Sequence, residues 1–305
     1  MTAHHANYLR KSIIILPFHS MMKALTSIPF SGFYSRMKLL LSISLMALFW
    51  SGPTWGDTDT NYLTGFNWPI GEKITYRIYW GLLPVGTATS WTEWIEFEGK
   101  KLLAIRMRTL SNKIVEKIYP VDDTIESLID PATFLPVRFS KDMSEGTHKY
   151  KEMTLFDRTN MVAHWESELT GKKKEYPIEP ETRDIPSLMY YLRNQIFTVG
   201  KKEHFRVQAD EKIYDLWLNI QKKEKVDTIN YDEVASIKVE PEAAFNGLFV
   251  RKGRLWVWIS DDARKLATRI EASIPVANVR AIVLQVEGPG NDFWVKSKAT
   301  DEKAP

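Results

Sequence analysis

The sequence predicts a single mainly-β domain with antiparallel pairing and one helix, and three observations carry that expectation. Short segments with apolar residues at every second position follow one another from residue 73 to 287, the period at which a strand sends side chains to one face. Glycine, proline, asparagine and aspartate pairs separate these segments at turn spacing. One stretch near residue 190 departs from the pattern and carries its apolar residues at helical spacing.

The elements follow in order. Residues 73–80 place Ile74, Tyr76, Ile78 and Trp80 on one face and Lys73, Thr75, Arg77 and Tyr79 on the other. Residues 81–86, with Pro84, read as a connecting loop. Segments 87–97 and 101–110 flank Glu98-Gly99 and form the clearest hairpin. Further strands are expected at 113–119, 123–129, 136–140, 147–156 and 161–168, with turns at Asp130-Pro131, Glu145-Gly146, Asp157 to Asn160 and Thr170-Gly171. No crossover helix interrupts this half, so the pairing is expected to be antiparallel.

Then Ile185, Leu188, Met189, Leu192 and Ile196 form an apolar stripe at offsets of one helical face. Asp184 precedes it as an N-cap, Pro186 lies in the first turn, and Gly200 lies beyond the end, so a helix is placed at 185–195. Strands resume at 204–209, 214–220, 233–240, 245–251, 254–260, 267–275 and 279–287. The stretch 288–305 is polar and read as a loose tail. With no repeat or linker-like tract, residues 57–287 are read as one domain.

Composition supports a packed core: 44% of the 305 residues are apolar, 12% are aromatic, and Trp occurs 11 times. The formal charge of +3 is concentrated at the N-terminus, where residues 1–56 hold Arg10, Lys11, Lys23, Arg36 and Lys38 and no acid. The remainder is near neutral and slightly acidic, which argues against a nucleic-acid partner.

The leader is the most specific signal. Arg36 and Lys38 flank Met37, an apolar run covers 39–50, Gly52-Pro53 ends it, and Thr54 and Gly56 are small residues ahead of Asp57. Basic start, short apolar centre and small-residue exit predict a secretory signal peptide over 37–56, cleaved between Gly56 and Asp57. Such a run rises about 18 Å as a helix, short of the roughly 30 Å of bilayer hydrocarbon. The alternative is a short anchor that is retained. Residues 1–36 read as an upstream extension, possibly untranslated, with Met37 a candidate start. Cysteine is absent, so lipid attachment at an N-terminal cysteine is not expected, and the protein is expected to lie in the periplasm.

Catalytic and metal patterns are incomplete in the chain. His148, His164 and His204 fall in strands outside any motif, and no Gly-x-Ser-x-Gly occurs. His164 and Glu166 share a strand face, but a third metal ligand is missing. Asp122-Asp123 point to opposite faces, and Asp261-Asp262 reads as a turn. Arg106 and Arg108 share a face that meets either solvent or an anionic group. No catalytic residue, metal site or cofactor is therefore expected.

Several segments together resemble a family catalogued as a domain of unknown function, DUF3108. They are Pro69-Ile70-Gly71-Glu72-Lys73-Ile74-Thr75-Tyr76 with Trp80-Gly81 and Pro84-Val85-Gly86; Val121-Asp122-Asp123-Thr124-Ile125-Glu126-Ser127; Leu135-Pro136-Val137-Arg138-Phe139; Tyr190-Tyr191-Leu192-Arg193; and Leu255-Trp256-Val257-Trp258-Ile259-Ser260-Asp261-Asp262 with Ile274-Pro275. The resemblance implies an exported bacterial envelope protein. Its implied architecture is a large curled antiparallel sheet, an open half-barrel, with one helix packed on the concave side.

A curled sheet with one helix does not easily fill its concavity, which leaves an apolar groove for a ligand. The candidate lining is Trp80, Trp91, Trp94, Leu188, Met189, Leu192, Trp256 and Trp258, against the plainer alternative that these aromatics pack the core. The functional expectation is a non-catalytic periplasmic protein that binds or carries a lipid or lipoprotein acyl chain. A protein docking on an envelope complex is the alternative, and an enzyme acting on envelope polymers the third. A membrane β-barrel is disfavoured because both faces of several strands carry charge, as in Lys149, Lys151 and Glu152.

Overall fold

The computed structural model describes residues 69–243, 254–274 and 277–288. The upstream extension, the leader, the junction Gly56-Asp57, the strand expected at 245–251 and the tail beyond 288 lie outside the described residues.

Among the described residues fifteen strands form one sheet. They are β1 Lys73–Trp80, β2 Leu83–Phe97, β3 Lys100–Ser111, β4 Val121–Asp130, β5 Leu135–Glu145, β6 His148–Asp157, β7 Val162–Ser167, β8 Lys173–Pro177, β9 Arg183–Asp184, β10 Lys202–Ala209, β11 Lys212–Val226, β12 Val234–Ala243, β13 Arg254–Ser260, β14 Ala267–Ile274 and β15 Ala277–Glu287. One helix, α1, covers Ile185–Leu192. The described residues are therefore mainly β with one helix, as the alternation predicts.

The strand order is β8-β7-β6-β5-β4-β3-β2-β1-β15-β14-β13-β12-β11-β10-β9. Two meanders meet at the centre, where β1 pairs antiparallel with β15 from Lys73↔Glu287 to Trp80↔Val279. The order is linear, so the sheet is not closed into a barrel by a ladder between β8 and β9. Side chains bring its two arms together instead. Lys141 on β5 reaches Asp210 at 2.7 Å, and Gln208 on β10 donates to the Tyr176 hydroxyl on β8 at 3.1 Å.

Strand parity decides which residues face inward. On β1, Ile74, Tyr76 and Ile78 are buried at alternate positions. On β11 it is Leu216, Leu218 and Ile220, and on β12 it is Ile237 and Val239. Turn chemistry follows the sequence at Glu98-Gly99, where both residues have positive φ (51° and 73°). That is the conformation a two-residue hairpin twisted with its strands demands.

Four expectations fail locally. Residues 83–86 belong to β2 rather than a loop. Gly86 makes this possible, because a Cβ there would lie 2.3 Å from the Leu110 carbonyl oxygen. Residues 113–119 form a 3-10 turn at Val115–Lys117 rather than a strand, because the Asn112 side chain caps the amides of Ile114 and Val115 at 3.0 and 2.9 Å. The helix stops at Leu192 rather than 195, leaving Ile196 exposed at 83% while Phe197 takes the buried place. β8 and β9 were missed, since Lys173–Pro177 is mostly polar and β9 has two residues. β9 also supplies the sheet's parallel pair, with β10 after the α1 crossover.

Candidate functional site

The helix lies across the concave face and is pinned at both ends. At its N-terminus Asp184 accepts from the Ser187 amide at 2.7 Å and from the Ser127 hydroxyl of β4 at 2.6 Å. This is the capping role that the sequence assigns. Burial pushes the Asp184 carboxyl above its ordinary range, and the bonds from Ser127 and Ser187 offset part of that rise.

At the other end Arg193 clamps Glu72 with two guanidinium bonds of 2.6 and 2.9 Å and donates Nε to the Arg264 carbonyl at 2.9 Å. Arg264 adds a bond of 2.5 Å to the same carboxylate. Burial works against the charge on Glu72, but Arg193 and Arg264 outweigh it, so its carboxyl sits below the usual range. The Tyr190 hydroxyl meets Ser90 on β2 at 2.7 Å, and burial drives that phenol up to about 12.

Between these pins the helix presses two sides into separate clusters. Leu188 and Leu192 pack with Val207, Leu216, Leu218, Ile220, Ile237, Val239 and Ile259 of the C-terminal meander. Met189 and Tyr190 meet Leu103, Ile105, Ile129 and Phe134 of the N-terminal meander. Eight residues of helix rise only about 12 Å, so α1 bridges the trough without filling it. Beneath it remains a cavity of about 260 Å³. That exceeds the 150 Å³ or so of an engineered apolar cavity known to stay dry and take up benzene.

The cavity wall is almost wholly aliphatic. It includes Ile74, Ile78, Met107, Ile125, Met143, Leu188, Met189, Leu192, Leu216, Leu218, Val239, Leu255, Val257 and Ile259. Among its few polar residues, Arg193 is occupied by Glu72, and Ser90 and Tyr190 by one another. Thr89, Thr109 and Lys265 also reach the wall, and Asp123 is its buried carboxyl. Its Oδ1 accepts the Ser144 amide at 2.9 Å, while Oδ2 is buried without a hydrogen-bond partner among the described residues. Burial is the main cause that raises this carboxyl to about 7. The Ser144 bond opposes the shift, and the charges of Asp122 and Asp142 add to it.

Of the candidate lining residues, Leu188, Met189 and Leu192 stand on the cavity wall, and the five tryptophans do not. Trp256 and Trp258 alternate with Leu255, Val257 and Ile259, so they take the outer face. There Lys238 lies 4.7 and 4.8 Å from their ring centres, and Trp258 donates to Glu224 at 2.6 Å. Trp91 alternates with Ser90 and Thr92, whose hydroxyls bond to Tyr190 and Pro69 on the inner side. Trp94 packs against the cluster of Leu103, Ile105, Ile129, Phe134 and Tyr190, and Trp80 against that of Ile78, Val85 and Val121, each beside the cavity. Alternation thus separates Trp91, Trp256 and Trp258 from the groove, whereas Trp80 and Trp94 have the inward parity and stand beside it.

The remaining candidates have ordinary partners. Arg106 pairs with Glu93 and Glu126, and Arg108 with Asp122 at 2.9 Å. His164 meets Glu175 at 3.1 Å, and His204 meets Asp215 at 2.7 Å. Asp262 accepts the amides of Arg264 and Lys265, the turn role read from its sequence. No group of three or more metal-ligating side chains occurs among the described residues.

Comparison with known proteins adds the family and little else. No curated protein matches the chain. Among solved structures, the crystal structure of a β-barrel-like protein of the domain of unknown function DUF1849 from Brucella abortus is similar at a TM-score of 0.48 and 9% identity. The match covers 72% of this chain and 97% of that one. The family model described as a protein of unknown function, DUF3108, matches residues 75–283, so the chain belongs to that family.

Proposed function

We propose that this domain is a non-catalytic binding or carrier protein of the bacterial envelope, holding a lipid or lipoprotein acyl chain in the cavity under α1. The observation that carries the reading is the wall itself: aliphatic side chains from both meanders surround a space that the pinned helix leaves open. Burial of hydrocarbon there removes apolar surface from water at about 25 cal/mol per Å². The outer face, with its ion pairs and cation–aromatic contacts, suits water rather than lipid. No helix among the described residues is long and apolar enough to cross a membrane.

A fluorescent fatty-acyl probe titrated into the protein tests the reading. Saturable binding is expected, and Ala281→Phe, which pushes a ring from β15 into the cavity, is expected to abolish it while the fold survives. No binding by the unmutated protein up to about 100 μM, a level weaker than ordinary carrier affinities, overturns the carrier. Export rests on the leader, and its test is the N-terminus of protein recovered from the periplasmic fraction, expected at Asp57.

A second reading, a protein that docks on an envelope complex, has one observation in its favour. Leu82 (87% exposed), Leu83, Ile114 (76% exposed) and Ile118 form an exposed aliphatic tip where the β1–β2 turn meets the 3-10 turn. These segments are tied by the Asn112 side chain, which donates to the Pro84 carbonyl at 2.6 Å. Exposed apolar clusters of this kind mark contact surfaces. Loss of co-sedimentation with envelope fractions in Leu82→Ser/Ile114→Ser, with probe binding intact, favours docking.

A further inference from the structure

We propose that Asp123 is the polar anchor of the cavity, taking the hydrogen-bond-donating head of one amphiphile, a primary amine ahead of a hydroxyl, while the hydrocarbon body lies along the aliphatic wall. The inference rests on the carrier reading and names its ligand class. Asp123 is 3% exposed, and its Oδ2 has no partner among the described residues. Buried polar atoms are almost always bonded, and one that is not calls for an ion, a water or a ligand.

The surroundings offer no substitute. Across the ladders Asp123 faces Thr109 and Met143, and Ile125 follows it on the same face. Lys141, opposite Ile125 on the same face, is held by Glu152 and Asp210 at 3.0 and 2.7 Å, and Arg108 is on the opposite face with Asp122. Of the cavity's own cations, Arg193 is held by Glu72, and Lys265 stands near β14, five ladder steps from β4 in strand order. An ionised carboxylate in such a wall is costly, and an ammonium bonded to it recovers the Coulomb energy in a medium of low dielectric. A hydroxyl supplies the same donor without the charge. A carboxylate or phosphate head meets like charge and is rejected.

The test is a set of amphiphiles of one chain length, bearing an amine, alcohol, methyl ester or carboxylate head, competed against the acyl probe. The amine is expected to bind best, by about tenfold or more over the ester. Asp123→Asn is expected to remove that preference while leaving the ester unchanged. Carboxyl carbon NMR of unmutated protein supplies a second readout, in which the Asp123 resonance moves on adding the amine. Equal binding of all heads, a preference for anionic heads, or a still Asp123 resonance overturns the anchor and leaves the carrier standing. Failure to bind the probe at all overturns both.

Discussion

Glu72 and Asp123 are both buried carboxylates on the concave side, and they are treated in opposite ways. Glu72 receives three charged hydrogen bonds from Arg193 and Arg264 and is held ionised. Asp123 receives one amide and stays costly to ionise. The first fastens the helix to the sheet, whereas the second is a polar group that the fold leaves unfinished. Burial alone therefore does not tell a structural acid from a receptive one, and the partners do.

The largest expected effect comes from breaking the fastened side. Glu72→Gln leaves two buried guanidinium groups facing a neutral amide, and chemical denaturation should show a loss of about 3–5 kcal/mol. A loss under about 1 kcal/mol would mean that the clamp is not what holds α1. Leu188→Ala tests the apolar half of the same attachment. It empties a site packed against both Leu216 and Val239, and about 2–5 kcal/mol is expected in the same experiment.

The pH dependence sharpens the contrast because the signs differ. The Glu72 carboxyl is lowered, so its contribution is present above the ordinary 4.5 and is lost as pH falls through its lower folded value. The Asp123 carboxyl is raised from 3.8 to about 7, so the folded state holds the extra proton and stability falls as pH rises across that interval. One proton accounts for at most about 1.4 kcal/mol per pH unit. Asp123→Asn should flatten the slope of denaturation midpoints between those values, and an unchanged slope would assign it to other groups.

The smallest effect is expected outside. Trp256→Phe keeps an aromatic ring beside Lys238 and Arg254, so stability should move by no more than about 0.5 kcal/mol. Probe binding should not change. A loss of binding would return the outer tryptophans to the site.

Much of this was legible in the chain and some was not. Alternation located most strands, and Asp184 with Pro186 marked the start of α1. Where a side chain overrode the alternation, as Asn112 does by capping the 3-10 turn, the pattern misled. Asp122 and Asp123 were read as facing opposite ways, and they do. Which face is concave could not be read on β13, because Leu255, Val257 and Ile259 on one side and Trp256 and Trp258 on the other are both apolar sets. The Glu72, Arg193 and Arg264 clamp joins residues far apart in sequence, and no local spacing announces it. The one signal available was an acid directly before an inward-facing strand.

The ladder between β1 and β15 has a consequence in time. Lys73 pairs with Glu287, so the middle of the sheet is joined by nearly the first and last of the described residues. Hairpins β1 to β8 close over short loops and can form early, but the seam between the meanders waits for the whole chain and bears its full loop-closure entropy. Until then β1 offers one unpaired edge flanked by Ile74, Tyr76 and Ile78. Folding of this protein is thus gated by its final strand, and a chain truncated before residue 277 keeps an adhesive edge at its centre.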